Sequence, residues 1–553
     1  MNLRAIIEKQ GLSPFKPAWQ KKSPAILKTK DARKVYDKIR NKLCSGFVFP
    51  ATRNLLDTLH LPASESEIKQ RQEFFKNLPE PVEILKHLKQ PRSYWRPSYS
   101  ILAVTEDENT YKDLKTKGVP VTMLLSTHDM ENLNEYDIVQ AVDCDKFIFQ
   151  LEQLNNAVIF DNPGEIYLEK YLIQLSAWQH NIELLEDVID TTELKDMLRF
   201  LDTKTTAFSV EEIEQATEKI NNQVSELLKD TQVTGDKIVN MLDSGSLPEE
   251  LHKIVLTQIK NSGYDPVFFK ASLPVKPDYE EINLHLRQTQ NNIYINFVEK
   301  LRYNKEKLGK IPTLIRQIET ELLILDFSSI LQNPTGKFAR IDELKLEDST
   351  NILLSNPEPI SFELNKQHRC SILTGANSGG KTTLIEHVIQ TIILGQLGLP
   401  LTGNVSVPII NEIYYFAKNK GSMNQGAFET LLKQMASIKN AQNAFIFADE
   451  IEAITEPGVA ADIISASADY FIRKGFYLIF ATHLGKELEH NLPAKTRIDG
   501  IEATGLDNNL NLIIKRSPVL GRLAHSTPEL IIDRLAKKTK DDYFIHIQAK
   551  LNK

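Results

Sequence analysis

Cysteine is scarce: three occur in 553 residues (Cys44, Cys144, Cys370), far apart in the chain. An odd, scattered set is neither a disulfide framework nor a zinc site, and it fits a reducing compartment. No run of about 18 apolar residues occurs, so no membrane span is expected. The longest candidate, LIEHVIQTIILGQLGLPL (384–401), is interrupted by Glu386, His387, Gln390 and Gln396 and reads as a buried helix. The first residues, MNLRAIIEKQGLSPFK, hold no apolar stretch of signal-peptide length, so a cytoplasmic protein is expected. A net charge of −7 excludes a globally basic nucleic-acid coat but leaves a local basic channel open. The histidines show no metal-ligand spacing, no H-E-x-x-H and no nucleophile-elbow triad. What is present is 41% hydrophobic and 25% charged residues, enough to bury several cores, and the length suggests roughly three or four domains.

Residues 1–97 read as mostly helical: DARKVYDKIRNKL (31–43) is amphipathic, and PATRNLLDTLHLP (50–62) and SESEIKQRQEFFKNL (64–78) follow, the latter with Ser64 as its cap. Residues 98–170 change character. SYSILAVT (98–105), VPVTMLLST (119–127), KFIFQL (146–151) and NAVIFD (156–161) read as strands, with TYKDLKTKG (110–118) and ENLNEYDIVQAV (131–142) as helices between them. That alternation predicts a small inserted α/β module. Residues 171–335 carry long helical patterns. Ile213, Ala216, Ile220, Val224 and Leu227 step by three or four, and a second run from Tyr279 to Leu331 is interrupted only near Pro312. Such lengths read either as a bundle or as a pair of lever arms, with DSGSLPEE and NSGYDPVF as turns at the far end. Residues 336–553 alternate strand and helix again. Two basic runs, KQPRSYWRP (89–97) and RLAKKTK (534–540), read as solvated surface.

The chemistry gathers in three places. The first is Gly375-Ala376-Asn377-Ser378-Gly379-Gly380-Lys381-Thr382-Thr383, after an apolar strand (Cys370–Leu373) and before a helix. It matches G-x-x-x-x-G-K-[ST]. Glycines let backbone N–H groups turn inward around phosphates, and the helix aims its positive end at them. Lys381 is placed to reach the β- and γ-phosphates of ATP, and the Thr382 hydroxyl to ligate Mg²⁺. The second is NAFIFADEIEAITEPG (443–458): an apolar strand ends in Asp449-Glu450, where Asp449 would hold Mg²⁺ and Glu450 would activate water. The third is GFYLIFATHLGKEL (475–488), whose strand ends in Thr482-His483, with His483 placed to contact the γ-phosphate or the attacking water.

Together these motifs, set behind long helices, resemble the MutS family of DNA mismatch-repair ATPases, within the ABC-type group. TGANSGGKTT is similar to that family's T-G-P-N-M-G-G-K-S-T, with Ala376 in place of Pro, and FATH (480–483) is identical to its switch-histidine motif. LGQLGLPLTGN (394–404) looks like the segment after its loop helix, and residues 50–78 resemble the start of its core domain. The resemblance implies a multidomain α and α/β fold: a helical core (1–97), a small α/β insertion (98–170), lever and clamp helices (171–335), and a C-terminal ABC-type P-loop ATPase domain (336–553). It implies ATP and Mg²⁺ as cofactors and a homodimer that encircles duplex or branched DNA, mainly through backbone contacts, in repair or recombination.

The departures are specific. Neither the family's mismatch-reading Phe-x-Glu domain nor an Smr nuclease domain is expected. Gly426-Ala427-Phe428 replaces the S-T-F signature that touches ATP across the dimer, and Glu452-Ala-Ile-Thr455 replaces the D-loop Gly-Arg-Gly-Thr. Loss of the wedge argues against the reading of single mismatches. A rival reading keeps the ATPase but gives it RNA, a ribosome or a protein partner as cargo.

Overall fold

The structure is a computed structural model that describes residues 2–17, 23–97, 99–201, 209–229, 235–236, 247–332, 336–375, 380–417, 425–450, 456–506, 512–524, 528–539 and 541–551. The chain divides into two compact units, residues 1–87 with 319–553, and residues 88–318. Both mix helix and sheet, as expected of a multidomain α/β chain. No helix among the described residues is long and apolar enough to cross a membrane.

In the first unit, the N-terminal helices form where their apolar spacing predicts, at Lys30–Leu43, Thr52–Asp57 and Glu65–Lys76. Ser64 caps the third with a full capping box: its Oγ accepts from Glu67 N (3.3 Å), and the Glu67 carboxylate accepts from Ser64 N (2.8 Å). Such a box contributes on the order of 1 kcal/mol. These helices dock on the C-terminal segment through buried backbone-directed bonds. Arg71 Nη1 donates to Gln396 O (3.0 Å). Asp326 accepts from the backbone of Val48 and Phe49 and from the Thr52 hydroxyl. Residues 26–29 also run beside the outer strand Glu412–Phe416, with Ile413 N donating to Ile26 O (2.8 Å) and Lys28 N to Ile413 O (3.0 Å). An edge that would invite pairing is thereby covered.

The C-terminal segment builds a six-stranded sheet in the order Glu412–Phe416, Ala444–Asp449, Tyr477–Ala481, Cys370–Gly375, Thr496–Leu506, Leu512–Leu520. The first five are parallel and the last is antiparallel. Parallel strands buried on both faces read as continuous apolar runs, as AFIFAD and YLIFA do. One face packs Ile372, Ile446, Leu478 and Phe480 on Ala460, Ile464, Ala468 and Phe471 of the helix Pro457–Arg473. The helix Lys381–Leu397 is buried almost all round, including His387, Gln390 and Gln396, which explains why its apolar run looks nearly long enough for a membrane.

The second unit holds a four-stranded parallel sheet, ordered Val121–Met123, Ile101–Thr105, Ile138–Val142, Ala157–Phe160. Two expectations change here. KFIFQL is helical rather than a strand (Ile148–Glu152), and the third strand is Ile138–Val142, from the segment read as helix. In KFIFQL, Phe147 and Leu151 are buried while Phe149 is exposed: the burial period is four, not two. All five residues of IVQAV are buried, as a central strand requires. One face of this sheet packs Ala103, Ile138 and Phe160 with Tyr294 and Val298 from the helix Tyr279–Tyr303.

The first long run is one helix over its whole stripe, and the second is divided into shorter helices. Val210–Leu228 buries Ile213, Ala216, Ile220 and Val224, but Leu227 is exposed. These residues share one core with Val255 and Ile259 of Glu249–Asn261 and Ile282 of Tyr279–Tyr303, so the helices pack as a local bundle. The second run breaks at Asn304 and again at Lys310, and Pro312 lies within the first turn of Ile311–Ser328, where its missing N–H is harmless. NSGYDPVF follows the helix Glu249–Asn261 as a turn, and the first half of DSGSLPEE lies outside the described residues.

Glu169 is fully buried in this unit, where Tyr99 Oη donates to its Oε1 (3.3 Å). Burial pushes its carboxyl up from an ordinary 4.5 to about 7. A carboxyl raised on folding favours the folded state while protonated, so its contribution is complete below pH 4.5 and is lost as pH rises towards 7. Glu169→Gln should remove that decline and raise the melting temperature of this unit at pH 8, by an amount equivalent to about 2–3 kcal/mol. Thermal melts from pH 5 to 8 check it; parallel curves for both proteins would contradict it.

Candidate active site

The three motif segments end side by side because their strands are neighbours in register. Leu373 pairs with Ala481 on one side of the strand Tyr477–Ala481, and Asp449 pairs with Ala481 on the other. The chain continues this stapling past the strand ends. Thr482 N donates to Leu373 O (3.0 Å) and Glu450 N to Ala481 O (2.9 Å). Three C-terminal strand ends therefore open onto one crevice, the place where α/β sheets bind ligands.

Gly375 ends its strand at φ +130, and a Cβ there would lie 2.4 Å from Ile501 O, so only glycine fits. Gly380 caps the helix Lys381–Leu397 at φ +99. Ala376, Asn377, Ser378 and Gly379 lie outside the described residues. Lys381 is buried, and its Nζ donates to Gly375 O (2.6 Å) while lying 3.4 Å from His483 Nε2. His483 Nε2 in turn lies 3.2 Å from Glu450 Oε1. Glu450 takes a left-handed conformation (φ +51) immediately after its strand, a backbone state that non-glycine residues adopt at some strain. Thr382 Oγ1 donates to Asp449 Oδ2 (2.5 Å), and Asp449 is buried. Lys381, Thr382, Asp449, Glu450 and His483 thus form one connected constellation.

Thr383 points elsewhere. With Gly380, Leu384 and His387 it forms a stripe at helical spacing that lines a cavity of about 220 Å³, whose other wall is Asn351, Leu354, Asn356, Glu358, Ile360 and Arg516. Sequence reasoning missed that wall, because no motif joins residues 351–360 to a strand more than 150 positions later. His387 is held by Ser349 Oγ (3.1 Å), and burial lowers its pKa to about 4, so it is neutral near pH 7. Gly426-Ala427-Phe428 begins the helix Gln425–Ser437, and Glu452–Thr455 lies outside the described residues.

The donor set at Thr382 and Asp449 is a hydroxyl and a carboxylate, hard oxygen ligands that suit Mg²⁺. Among the described residues, no group of three or more His, Cys, Asp or Glu could hold a metal ion. A Mg²⁺ held by Thr382 and Asp449 would take further ligands from water and phosphate oxygens.

No family model matches the chain. It is similar to the DNA-binding protein MutS2 of Pyrococcus furiosus, at 28% identity over 93% of this chain and 97% of that protein. It is also similar to the endonuclease MutS2 of Streptococcus suis, at 23% identity over 43% of this chain and 30% of that protein. The DNA mismatch repair protein MutS of Thermotoga petrophila matches at 22% identity over 38% of this chain and 28% of its own length. These matches bear out the resemblance to the MutS family, in a divergent form.

Gly375→Ala should destabilise the first unit by at least about 2 kcal/mol, because the new methyl must displace the Ile501 carbonyl and the backbone must hold a strained φ. Chemical denaturation of the variant checks this; an unchanged midpoint would show that the strand end tolerates a side chain.

Proposed function

We propose that this chain is a Mg²⁺-dependent ATPase of MutS type, and that ATP binding and hydrolysis control its engagement of DNA as a homodimeric clamp in the cytoplasm. The observation that carries the ATPase reading is the constellation in which Lys381 meets His483, His483 meets Glu450, and Thr382 meets Asp449. A lysine beside a glycine-capped helix start supplies positive charge for the β- and γ-phosphates. Glu450, held by its own backbone and by His483, would orient and deprotonate the attacking water. His483 lies between Glu450 and Lys381, so it would align the base with the phosphate end of the site. Bound Mg²⁺ would neutralise developing charge on the leaving phosphate, and Thr382 and Asp449 are the residues that would hold it.

The DNA reading rests on the relatives' names and on the motif resemblance. With a net charge of −7, contact would be confined to local basic surface and would weaken steeply with salt. Two chains would complete each other's sites, with the region around Phe428 and residues 452–455 of one facing the glycine loop of the other.

Lys381→Ala should abolish ATP binding. Glu450→Gln should bind ATP normally, lower turnover by about 10²-fold or more, and accumulate as an ATP-bound dimer on size-exclusion chromatography. Turnover left intact in Glu450→Gln would show that Glu450 is not the base. ATPase rates of the intact protein with and without duplex or junction DNA test the cargo. An absence of both stimulation and low-salt binding would overturn the DNA reading, and co-purifying RNA, identified by nuclease sensitivity, would favour the rival cargo.

A further inference from the structure

The cavity beside the glycine loop contains a cation that the reaction as described does not use. Arg516 lies on the antiparallel strand Leu512–Leu520, and its Nη1 lies 3.3 Å from where a Cβ on Gly380 would sit. The guanidinium therefore covers the glycine that caps the loop helix, and any side chain at 380 would push it away. Its partner is Glu358, at 3.9 Å across the cavity mouth, and both side chains are substantially exposed. An ion pair of that length and exposure is weak, on the order of 0–1 kcal/mol, so Arg516 can change partners at little cost.

The two faces of the helix start divide the ligand. Lys381 and Thr382 turn towards Asp449, Glu450 and His483, where the terminal phosphate reacts. Gly380, Thr383, Leu384 and His387 turn towards the cavity, so the rest of the nucleotide leaves along that stripe. The first groups it meets on leaving are its inner phosphates, next to Gly380 and Thr383. Among the described residues, the only other charged wall residue is Glu358, and His387 is neutral.

We propose that Arg516 is a nucleotide-binding residue that grips the inner, α- or β-phosphate of the bound nucleotide, and that Glu358 holds it ready in the empty site and competes with the phosphate for it. This rests on the ATPase reading. The consequence is an affinity device for diphosphate and triphosphate alike, separate from the γ-phosphate chemistry at Glu450. A guanidinium suits the task because its planar fork bonds two phosphate oxygens at once.

Isothermal titration of the full chain with ATP and ADP, and saturation-transfer NMR with adenosine, test it on Arg516→Ala, Arg516→Lys and Glu358→Gln. Arg516→Ala should raise the Kd of ATP and of ADP by the same factor, about tenfold, and leave adenosine unchanged. Arg516→Lys should recover part of the loss. Glu358→Gln should tighten both nucleotides a few-fold at low salt, and should do nothing in the Arg516→Ala background. Unchanged Kd values in Arg516→Ala, with the wild type binding ATP, would overturn the proposal while leaving the ATPase reading intact. An equal loss for adenosine would also overturn it, by showing contact with the base or a general distortion. A wild type that binds no nucleotide would overturn both.

Discussion

The site depends on one stretch of parallel pairing. Ala481 sits between Leu373 and Asp449 in the sheet, and the hydrogen bonds from Thr482 and Glu450 continue that ladder by one residue on each side. Because side chains alternate along a strand, a slip of one residue would turn every one of them to the other face. The slip is prevented by burial on both faces: Ile446, Leu478 and Phe480 pack against one helical layer, while Phe445 and Phe447 stack on each other at 4.3 Å on the opposite side. Hydrophobic register thus becomes polar geometry, setting Asp449, Glu450 and His483 within reach of Lys381 and Thr382.

Two further features stiffen this frame. Gly375 lets the loop strand press against Ile501, and the neighbouring strand is anchored from within by Asp499, which accepts from Ser371 Oγ (2.6 Å), Arg497 Nε (2.7 Å) and Gly521 N (2.9 Å). A buried carboxylate with that many donors avoids the penalty of an unpaired charge and fixes the strands on both sides of it. The N-terminal helices belong to the same unit and cover the far edge of the sheet through residues 26–29. Residues 26–29 therefore help to hold the sheet that brings Lys381, Thr382, Asp449, Glu450 and His483 together.

How much of this could be read from the sequence follows from how local each signal is. The glycine loop, Asp449-Glu450 and Thr482-His483 were legible because each is a polar cluster at the end of an apolar run, and the spacing of such clusters carries chemical meaning without a structure. The capping box at Ser64 was legible for the same reason: it lies within four residues. The cavity wall was not, since Asn351, Glu358 and Arg516 meet only through the folded sheet. The exchange of helix and strand at 138–151 shows the limit of short apolar runs, whose period cannot be judged over five residues until burial is known. The break at Asn304 was hidden because an amphipathic stripe can continue across a short turn.

The central claim is that Thr382 and Asp449, in contact here, share a cation with the phosphates of ATP. The most direct test is a crystal structure of the intact protein with Mg²⁺ and a non-hydrolysable ATP analogue. The account predicts the terminal phosphate beside Lys381 and His483, Mg²⁺ bound by the Thr382 hydroxyl with Asp449 as a direct or water-bridged partner, and the direct Thr382–Asp449 hydrogen bond broken. An analogue bound elsewhere, or bound with that hydrogen bond intact and no cation beside it, would contradict the account.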